Sequence, residues 1–280
     1  MRLRSIVTLN NNETVFGYIE SSQSIKWWAM PTLPLKTIPY CPYHNYRTKL
    51  NTFIMSNLEE LKKAIQIEAQ SAEFPLDVPV YESAKKDPTM PILYYGNLKS
   101  NVCFFGRDLG RDEVMAGQPL IGASGTLVRQ GFYRAMYKEN TNDRDKLMAV
   151  CDRLLLTNTV PYKPPENKAY GVRVKRRFRP FVEQLLTIHW QGNHIITLGT
   201  EAFKWFEPYT DQEEFNQFWA DKDHRYEKSI QVTLTATDNQ GKSFQKKTLI
   251  SPLPHPSPLN QRYYRLFPAM LQARLSQLAF

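Results

Sequence analysis

Cysteine is scarce in this 280-residue sequence, which contains Cys41, Cys103 and Cys151 at widely separated positions. Three scattered cysteines exclude a disulfide framework and a zinc knuckle, and they are typical of a protein from a reducing compartment. A cytoplasmic location is therefore predicted. Cys103 in VCFF and Cys151 in AVCDRLLL are each flanked by apolar residues, which indicates two buried side chains that behave as small apolar groups.

Long apolar runs and several common catalytic motifs are also absent. No stretch approaches the ~18 apolar residues of a membrane-spanning helix, and MRLRSIVTLNNNE reaches Asn and Glu too early to be a signal peptide. The sequence contains no GxxxxGKS/T, HExxH or CxxC pattern, which excludes the phosphate, zinc and redox sites that depend on them. We therefore expect no membrane partner, no metal and no other cofactor. The protein is also expected to be a monomer.

Positive charge, by contrast, is in excess. The chain has 36 Lys and Arg against 27 Asp and Glu, a formal net charge of +9. A basic protein of this kind is often a polyanion binder, although charge alone fits an ordinary solvated surface equally well. The basic residues cluster in VRVKRRFRP, which ends at Pro180, and this clustering favours a nucleic-acid partner.

Strands and helices are predicted to alternate after an N-terminal extension over residues 1–55, in which short strands and extended loops are expected. SNLEELKKAIQIEAQSA predicts the first helix, with Ser56 as its N-cap. Buried strands are then predicted in NVCFFG, DRLLLTN and HIITLG, and helices in GTLVRQGFYRAMY and PFVEQLLTIHW.

This alternation predicts an α/β fold, a three-layer α/β/α sandwich around a central, mainly parallel four-stranded sheet. The segment QVTLTATDNQGKSFQKKTLI predicts an inserted β-hairpin with its turn at Asp-Asn-Gln-Gly. Its second strand leads into SPLPHPSPLN.

Three polar loops directly follow predicted strands, in RDLGRDE, TVPYKPPEN and PLPHPSPLN. Ligand sites in open α/β sheets lie at the carboxyl ends of the strands, so the three loops are expected to converge on one cleft. Asp108 lies between Gly106 and Gly110 in the first loop, and Asn158 directly precedes the second. A lone Asp or Asn at such a position is also typical of a simple turn or cap.

The third loop is stiff, because four prolines alternate with other residues from Pro252 to Pro258. Proline fixes φ and lacks an N–H, so the segment is expected to form neither a helix nor the middle of a sheet. It would hold His255 and Ser257 in a set direction, and a fixed imidazole can donate to a developing anion. GQPLIGASG, which precedes a helix, can similarly hold a phosphate.

Together these segments resemble the uracil-DNA glycosylase superfamily. GRDLGRDEVMAGQPLIGASG resembles the first motif of its family 4-type enzymes, and NTVPYKPPEN resembles their N-x-x-x-x-R/K-P-P-x-N. RPFVEQL and HIITLGTEA resemble the helix and strand that follow, and HPSPLN resembles the His-Pro-Ser-Pro-Leu loop of the classical uracil enzymes. The segments occur in the family's order, and the resemblance covers about residues 56–275 within a catalytic domain predicted over 56–280.

The sequence departs from the family pattern at several points. Family 4-type enzymes bind an iron–sulfur cluster through four cysteines, whereas this chain has three, so no cluster is expected. Arg107 stands where they have Glu, and Asp108 falls where the classical enzymes have their Asp. Gly110 matches the Tyr that blocks C5-substituted bases, and Leu120 matches the Phe that stacks on the base. Residues 1–50 and about 204–249 are read as additions.

The resemblance implies a monofunctional DNA glycosylase that leaves an abasic site. Asp108 would stabilise the sugar cation and orient water, His255 would donate to O2 of the leaving base, and Asn158 would read its Watson–Crick edge. Leu120, Gly110 and Arg107 would complete the base pocket, and Leu259 would fill the vacated stack. DNA contacts are further expected at Lys163, Lys175, Arg176, Arg177 and Ser257.

Three functions remain open at this point. The smaller residues at positions 110 and 120 favour a bulky C5-modified pyrimidine, such as glucosylated hydroxymethylcytosine in phage DNA, and hence a role in defence. Uracil removal in base-excision repair is the first alternative. A catalytically inactive DNA-binding module is the second, and a possible contribution of Glu113 to catalysis is left undecided.

Overall fold

The computed structural model describes strands within residues 5–27 and the ranges 58–258 and 260–278. The chain divides into two compact units, Met1–Lys49 and Leu50–Phe280. In the first unit, the described strands β1 (Ser5–Leu9), β2 (Glu13–Ile19) and β3 (Ile25–Trp27) pair antiparallel in the order β1-β2-β3. Ser56, the predicted N-cap, lies outside the described residues.

The second unit is built on a mixed six-stranded sheet in the order β4-β6-β5-β7-β9-β8. The four inner strands β6, β5, β7 and β9 are parallel, and β4 and β8 pair antiparallel at the two edges. The α/β fold class is thus confirmed, but the predicted number of four strands is too low. The strands are β4 (Tyr94–Gly96), β5 (Val102–Gly106), β6 (Leu155–Asn158), β7 (His194–Leu198), β8 (Ile230–Thr237) and β9 (Ser243–Leu253).

One short strand and the inserted hairpin account for the difference in strand number. β4 has only three residues, too few for a recognisable alternation, and it pairs with β6 from Tyr94↔Thr157 to Gly96↔Leu155. The predicted hairpin supplies both β8 and β9. Its second strand is also the fourth parallel strand, through the register Ile195↔Ile250 with β7.

Helices connect the strands along the chain. The first, α1, covers residues 58–71, and no helix among the described residues is long and apolar enough to cross a membrane. The others are α2 (Val78–Ser83), α3 (Arg111–Ala116), α4 (Ala123–Tyr137), α5 (Arg144–Ala149), α6 (Val172–Gln184), α7 (Thr200–Lys204), α8 (Gln212–Ala220), α9 (Gln261–Tyr264) and α10 (Phe267–Leu275), with a π-helical turn at Leu185–His189.

The two faces of the sheet bury different side chains, because successive residues of a strand point in opposite directions. In β5, Phe104 packs in a cluster with residues of α4 and α10, whereas Cys103 and Phe105 pack with residues of α6, α7 and α8. Helical residues therefore cover both faces. Cys103 and Cys151 are buried free cysteines, as predicted.

Helix α6 begins at Val172, eight residues before the predicted start at Pro180. Val174, Phe178 and Val182 repeat at intervals of four, and Phe178 and Val182 are fully buried, so the basic segment is the first half of an amphipathic helix. Pro180 lies inside the helix and is exposed. The buried apolar face of α6, rather than Pro180, therefore decides where the helix begins and ends.

Strand β9 includes Pro252, although the proline-rich segment was expected to stay out of the middle of a sheet. Pairing with β7 continues through Thr197↔Pro252 and Leu198↔Leu253, but pairing with β8 stops at Ile250. The carbonyl of Leu253 accepts from the Gly199 amide on the β7 side. The neighbouring Pro252 faces the other side, where no strand pairs, so its missing N–H removes no ladder bond.

Candidate active site

One cavity of about 380 Å³ opens at the carboxyl end of the parallel strands. The loops after β5 and β9 contribute to it, together with the last residues of β6 and β7 and the start of α4. It therefore brings together the predicted residues Arg107, Asp108, Gly110, Leu120, Asn158, His255 and Ser257. The rest of the lining is Gly106, Arg111, Asp112, Glu113, Gly122, Ala123, Ser124, Leu198 and Pro258.

The carboxylate of Asp108 lies deep in this cavity, with its side chain only 2% exposed. Its Oδ2 lies 3.1 Å from Nε of Arg107, an ion pair without hydrogen-bond geometry. Desolvation raises the pKa of Asp108, while Arg107, Lys175, the Tyr170 amide and the Thr159 hydroxyl oppose that rise. The carboxylate is thus buried but surrounded by groups that favour its charged form.

Thr159 holds the loop that carries Asp108. Its amide donates to the carbonyls of Gly106 at 3.1 Å and Arg107 at 2.9 Å. Its hydroxyl donates to the Arg107 carbonyl and lies 3.4 Å from Oδ1 of Asp108. The loop after β5 is therefore tied to the end of the neighbouring strand β6.

Asn158 ends strand β6 and is 3% exposed. Its Oδ1 is buried and accepts no hydrogen bond from the described residues. A Cβ at Gly106 would lie 2.9 Å from Nδ2 of Asn158 and 3.2 Å from Cδ2 of Leu120, so both side chains close in on this glycine. A buried acceptor without a partner is costly, and a ligand with an N–H group would relieve that cost.

His255 also lines the cavity and belongs to the proline loop. Its backbone packs on Gly199, where φ is +94° and a Cβ would stand 3.0 Å from Cβ of His255. The His255 carbonyl accepts from the Ser257 amide at 2.9 Å and from Nδ2 of Asn260 at 3.2 Å. Partial desolvation and the nearby Arg107 charge both lower the pKa of His255, which favours a neutral imidazole.

Ser124 anchors the proline loop to helix α4. Its hydroxyl donates to the Pro256 carbonyl at 2.8 Å, across 132 positions of sequence. Ser124 also lines the cavity. The Gly-rich segment singled out in the sequence thus supports the cavity wall through a serine that the sequence pattern did not identify.

Leu120 is held in an unusual conformation beside the cavity. It is 7% exposed and has a positive φ of 53°. The buried Arg129 donates from Nη1 to its carbonyl. A Cβ at Gly125 would lie 1.5 Å from the same carbonyl oxygen, so only glycine fits there. The turn before α4 is therefore fixed from two sides.

Gly110 does not leave empty space beside its backbone. A Cβ at this position would lie 2.5 Å from Oε2 of Glu113. Glu113 accepts hydrogen bonds from the amides of Gly110 at 3.0 Å and Gly122 at 3.1 Å. A carboxylate therefore occupies the place where a larger residue 110 would begin.

The predicted phosphate contacts fall into different environments. Arg176 is exposed on α6 and, with Lys175, lines a neighbouring cavity of about 410 Å³. Lys175 is paired with Glu201 at 2.7 Å. Arg177 instead turns inward and bonds to Glu68 at 2.6 Å, to the Ala72 carbonyl at 2.8 Å and to Ser71 at 3.1 Å.

The position of Lys163 disagrees with the predicted DNA contact. Its side chain is 2% exposed, and its Nζ pairs with Asp77 at 2.5 Å and donates to the Pro164 carbonyl at 3.0 Å. The ammonium group therefore supports the interior and does not face solvent where DNA would bind. Leu259, the predicted wedge, lies outside the described residues.

Several residues of the site escaped the sequence analysis. Thr159 directly follows Asn158, and Ser124 sits in a Gly-rich segment, so each had a weak local signal. The Tyr170 amide that donates to Asp108 had none, since any residue carries an amide. Arg129 also had no sequence signal, because only the fold brings it to its partner Leu120.

The residues do not fit the four-thiolate cluster that family 4-type enzymes bind. The chain has three cysteines, and Cys103 and Cys151 pack in clusters on different faces of the sheet. Within the described ranges, no group of three or more His, Cys, Asp or Glu side chains is arranged to hold a metal ion.

Comparison with known proteins identifies one family. A family model described as the uracil DNA glycosylase superfamily matches residues 93–279, well over half of the chain. The matched range contains every residue that lines the cavity. No curated protein matches the chain.

Proposed function

The chain belongs to the uracil DNA glycosylase superfamily, and from this membership we propose that it is a monofunctional DNA glycosylase acting on a flipped pyrimidine. Membership supports DNA glycosylase chemistry and DNA as the partner. The observation that favours catalysis is the cavity itself, where Asp108, Asn158 and His255 meet within about 380 Å³. A binding module has no need of a buried carboxylate and an unpaired amide oxygen at the same place.

Asp108 would act on the sugar. When the C1′–N bond breaks, its electron pair leaves with the base and positive charge develops at C1′. A carboxylate close to that carbon stabilises the cation and orients the water that adds to it. Oδ2 of Asp108, which accepts no hydrogen bond from the described residues, suits this role. The water's proton is released, and an abasic site remains.

His255 would act on the departing base. A neutral imidazole can donate one hydrogen bond to the pyrimidine O2, where negative charge collects. The lowered pKa of His255 favours the neutral form of the ring near pH 7. Asn158 would accept from, or donate to, the Watson–Crick edge through a side chain already buried at the end of β6.

The base itself is proposed to be a bulky C5-modified pyrimidine, such as glucosylated hydroxymethylcytosine, which would place the protein in defence against phage DNA. Support comes from Leu120 on the cavity wall, which is smaller than the Phe of the family pattern, whereas the space beside Gly110 is taken by the Glu113 carboxylate. The Glu113 carboxylate beside Gly110 adds acceptors that hydroxyl groups can use. Uracil repair is the alternative, since the Asn158 amide also suits a uracil edge.

A cleavage assay tests both the proposed glycosylase activity and the proposed base. Single- and double-stranded oligonucleotides carrying uracil, hydroxymethylcytosine or glucosylated hydroxymethylcytosine are incubated with the protein and then treated with alkali to break abasic sites. Cleavage at the glucosylated base with uracil untouched is expected. Cleavage at uracil alone would establish repair and overturn the proposed substrate.

Asp108→Asn distinguishes an enzyme from a binding module. An enzyme should lose about 10²- to 10³-fold in single-turnover rate, the usual loss for a group aimed at developing charge. Asp145→Asn, an exposed position on α5, is the matched control and should retain full activity. Wild-type protein that binds every oligonucleotide but cleaves none would favour the module.

A further inference from the structure

Two helices beside the cavity begin at glycines. Gly110 is the N-cap of α3 and Gly122 is the N-cap of α4, and neither has a side chain that could cap its helix. The side-chain carboxylate of Glu113 accepts a hydrogen bond from the backbone amide of each of these glycines. Oε2 of Glu113 accepts from the Gly110 amide at 3.0 Å, and Oε1 accepts from the Gly122 amide at 3.1 Å.

Helix capping accounts for only one of these bonds. A Glu at the third position of a helix commonly reaches back to its own N-cap amide, which explains the contact with Gly110. The bond to Gly122 spans nine positions and leaves α3 altogether. It joins the loop that carries Asp108 to the turn that carries Leu120, and all of these residues line the same cavity.

The surroundings leave this bridge little freedom. A Cβ at Gly110 would approach Oε2 to 2.5 Å, and one at Gly122 would approach Oε1 to 3.4 Å and Asp112 Oδ2 to 3.2 Å. Glycine at both positions lets the carboxylate come close to the two amides. The Leu120 turn is meanwhile held from behind by Arg129. Glu113 therefore links the wall that carries Gly110 to the wall that carries Leu120.

We propose that Glu113 is a positioning residue that sets the width of the base pocket, and through it the selectivity for the C5 substituent of the pyrimidine. This inference rests on the proposed function. Its physical basis is that one carboxylate fixes the separation of the Gly110 loop, on the C5 side by the family resemblance, from Leu120, which would pack on the base. A single methylene in such a pocket is worth about 10- to 200-fold in discrimination.

Amide hydrogen exchange tests the bridge without any reaction. In Glu113→Gln the side chain keeps one acceptor oxygen, but its NH₂ group cannot accept from the second amide. Exchange at Gly110 or Gly122 should rise by about tenfold or more, the factor expected for losing one hydrogen bond to a charged group. Glu60→Gln on the exposed face of α1 is the matched control. Unchanged exchange at both glycines would overturn the proposal.

Selectivity tests the consequence. Single-turnover rates are compared on matched oligonucleotides carrying uracil, thymine and 5-hydroxymethyluracil, and on a second series carrying cytosine, 5-hydroxymethylcytosine and glucosylated 5-hydroxymethylcytosine. In the wild type, the cleavage rates on unsubstituted and C5-substituted bases should differ. Glu113→Gln should bring the ratio of these two rates about tenfold closer to one. A wild type that cleaves a single base should gain measurable cleavage of its C5 counterpart in the variant.

An equal fall of all rates would show a general loss of activity and would contradict a role in selectivity. Wild-type protein that cleaves none of these bases would instead count against the proposed function. The exchange measurement would then still decide whether Glu113 bridges the two walls. The two failures are therefore distinguishable.

Discussion

At the scale of single residues, the ion pair of Arg107 with Asp108 governs the charges in the cavity. The guanidinium lies 3.1 Å from a carboxylate that is almost fully buried, while its own side chain is 39% exposed. It opposes the desolvation that raises the pKa of Asp108, and it lowers the pKa of His255. One arginine thus favours an ionised Asp108 and a neutral His255 together.

Arg107→Gln should move the acid limb of the pH–rate profile to higher pH. Without the positive charge, the pKa of Asp108 rises further and the pKa of His255 also rises, because the charge lowers both in the wild type. Both groups must lose a proton to be active, so both changes have the same sign. The measurement is single-turnover kcat against pH. Lys175 also lowers the pKa of Asp108 and remains in place.

Arg265→Gln is the control for this prediction, because it removes the same charge from an exposed position after α9. Its profile should match the wild type. An acid limb that stays in place in Arg107→Gln would show that Arg107 does not set the protonation of the cavity.

At the scale of elements, the proline loop depends on helix α4 for its position. The loop's own hydrogen bonds, from Ser257 and Asn260 to the His255 carbonyl, are local. The bond from Ser124 to the Pro256 carbonyl joins it to a separate element. Stiffness from proline sets the shape of the loop, whereas Ser124 sets its place against the cavity.

Ser124→Ala should lower kcat by about tenfold while the melting temperature changes little. The loss of one hydrogen bond costs about 1 kcal/mol in stability, but a misplaced catalytic group costs rate steeply. Thermal unfolding and single-turnover kinetics on the same samples provide the measurement. A fall in melting temperature without any fall in rate would contradict this role. Ser276→Ala, which removes a local hydroxyl bond near the C-terminal end of α10, is the control.

At the scale of the whole molecule, the net charge is +9, and the fold places some basic side chains on the surface and uses others for contacts inside the protein. Arg176 and its neighbour Arg177 are adjacent in sequence, yet one is exposed and the other ties α6 to α1 through Glu68, Ser71 and Ala72. Lys163 is similarly used in the interior, against Asp77. Only part of the positive charge is therefore available to a polyanion.

Substituting these two neighbours should affect different properties of the protein. Arg176→Ala should weaken DNA binding and reduce the dependence of log K on log salt by about one, with stability unchanged. Arg177→Ala should lower the free energy of unfolding by about 1–3 kcal/mol, because it removes several hydrogen bonds between helices. Fluorescence anisotropy at several salt concentrations and urea unfolding measure the two effects. An unchanged salt dependence in Arg176→Ala would remove this residue from the DNA-binding surface.

The local pattern predicted the main strands and the place of the cavity well. Buried runs such as VCFFG and HIITL formed strands within one or two residues of their predicted limits. The start of α6, the strand at Pro252 and the short β4 were not predicted correctly. In each case the tertiary structure outweighed the local conformational preference of the segment. The apolar face of α6 is buried, β4 pairs with β6, and Pro252 lies beyond the last residue of β9 that pairs with β8.

The sequence by itself determined the family, the α/β fold class and the meeting of Asp108, Asn158 and His255. It could do so because these residues follow strands, and parallel strands end at one edge of a sheet. Tertiary structure alone decided that Arg107 pairs with Asp108, that Glu113 joins Gly110 to Gly122, and that Lys163 is buried. Charge, burial and hydrogen-bond partners depend on which side chains meet in space, and local sequence patterns do not determine those meetings.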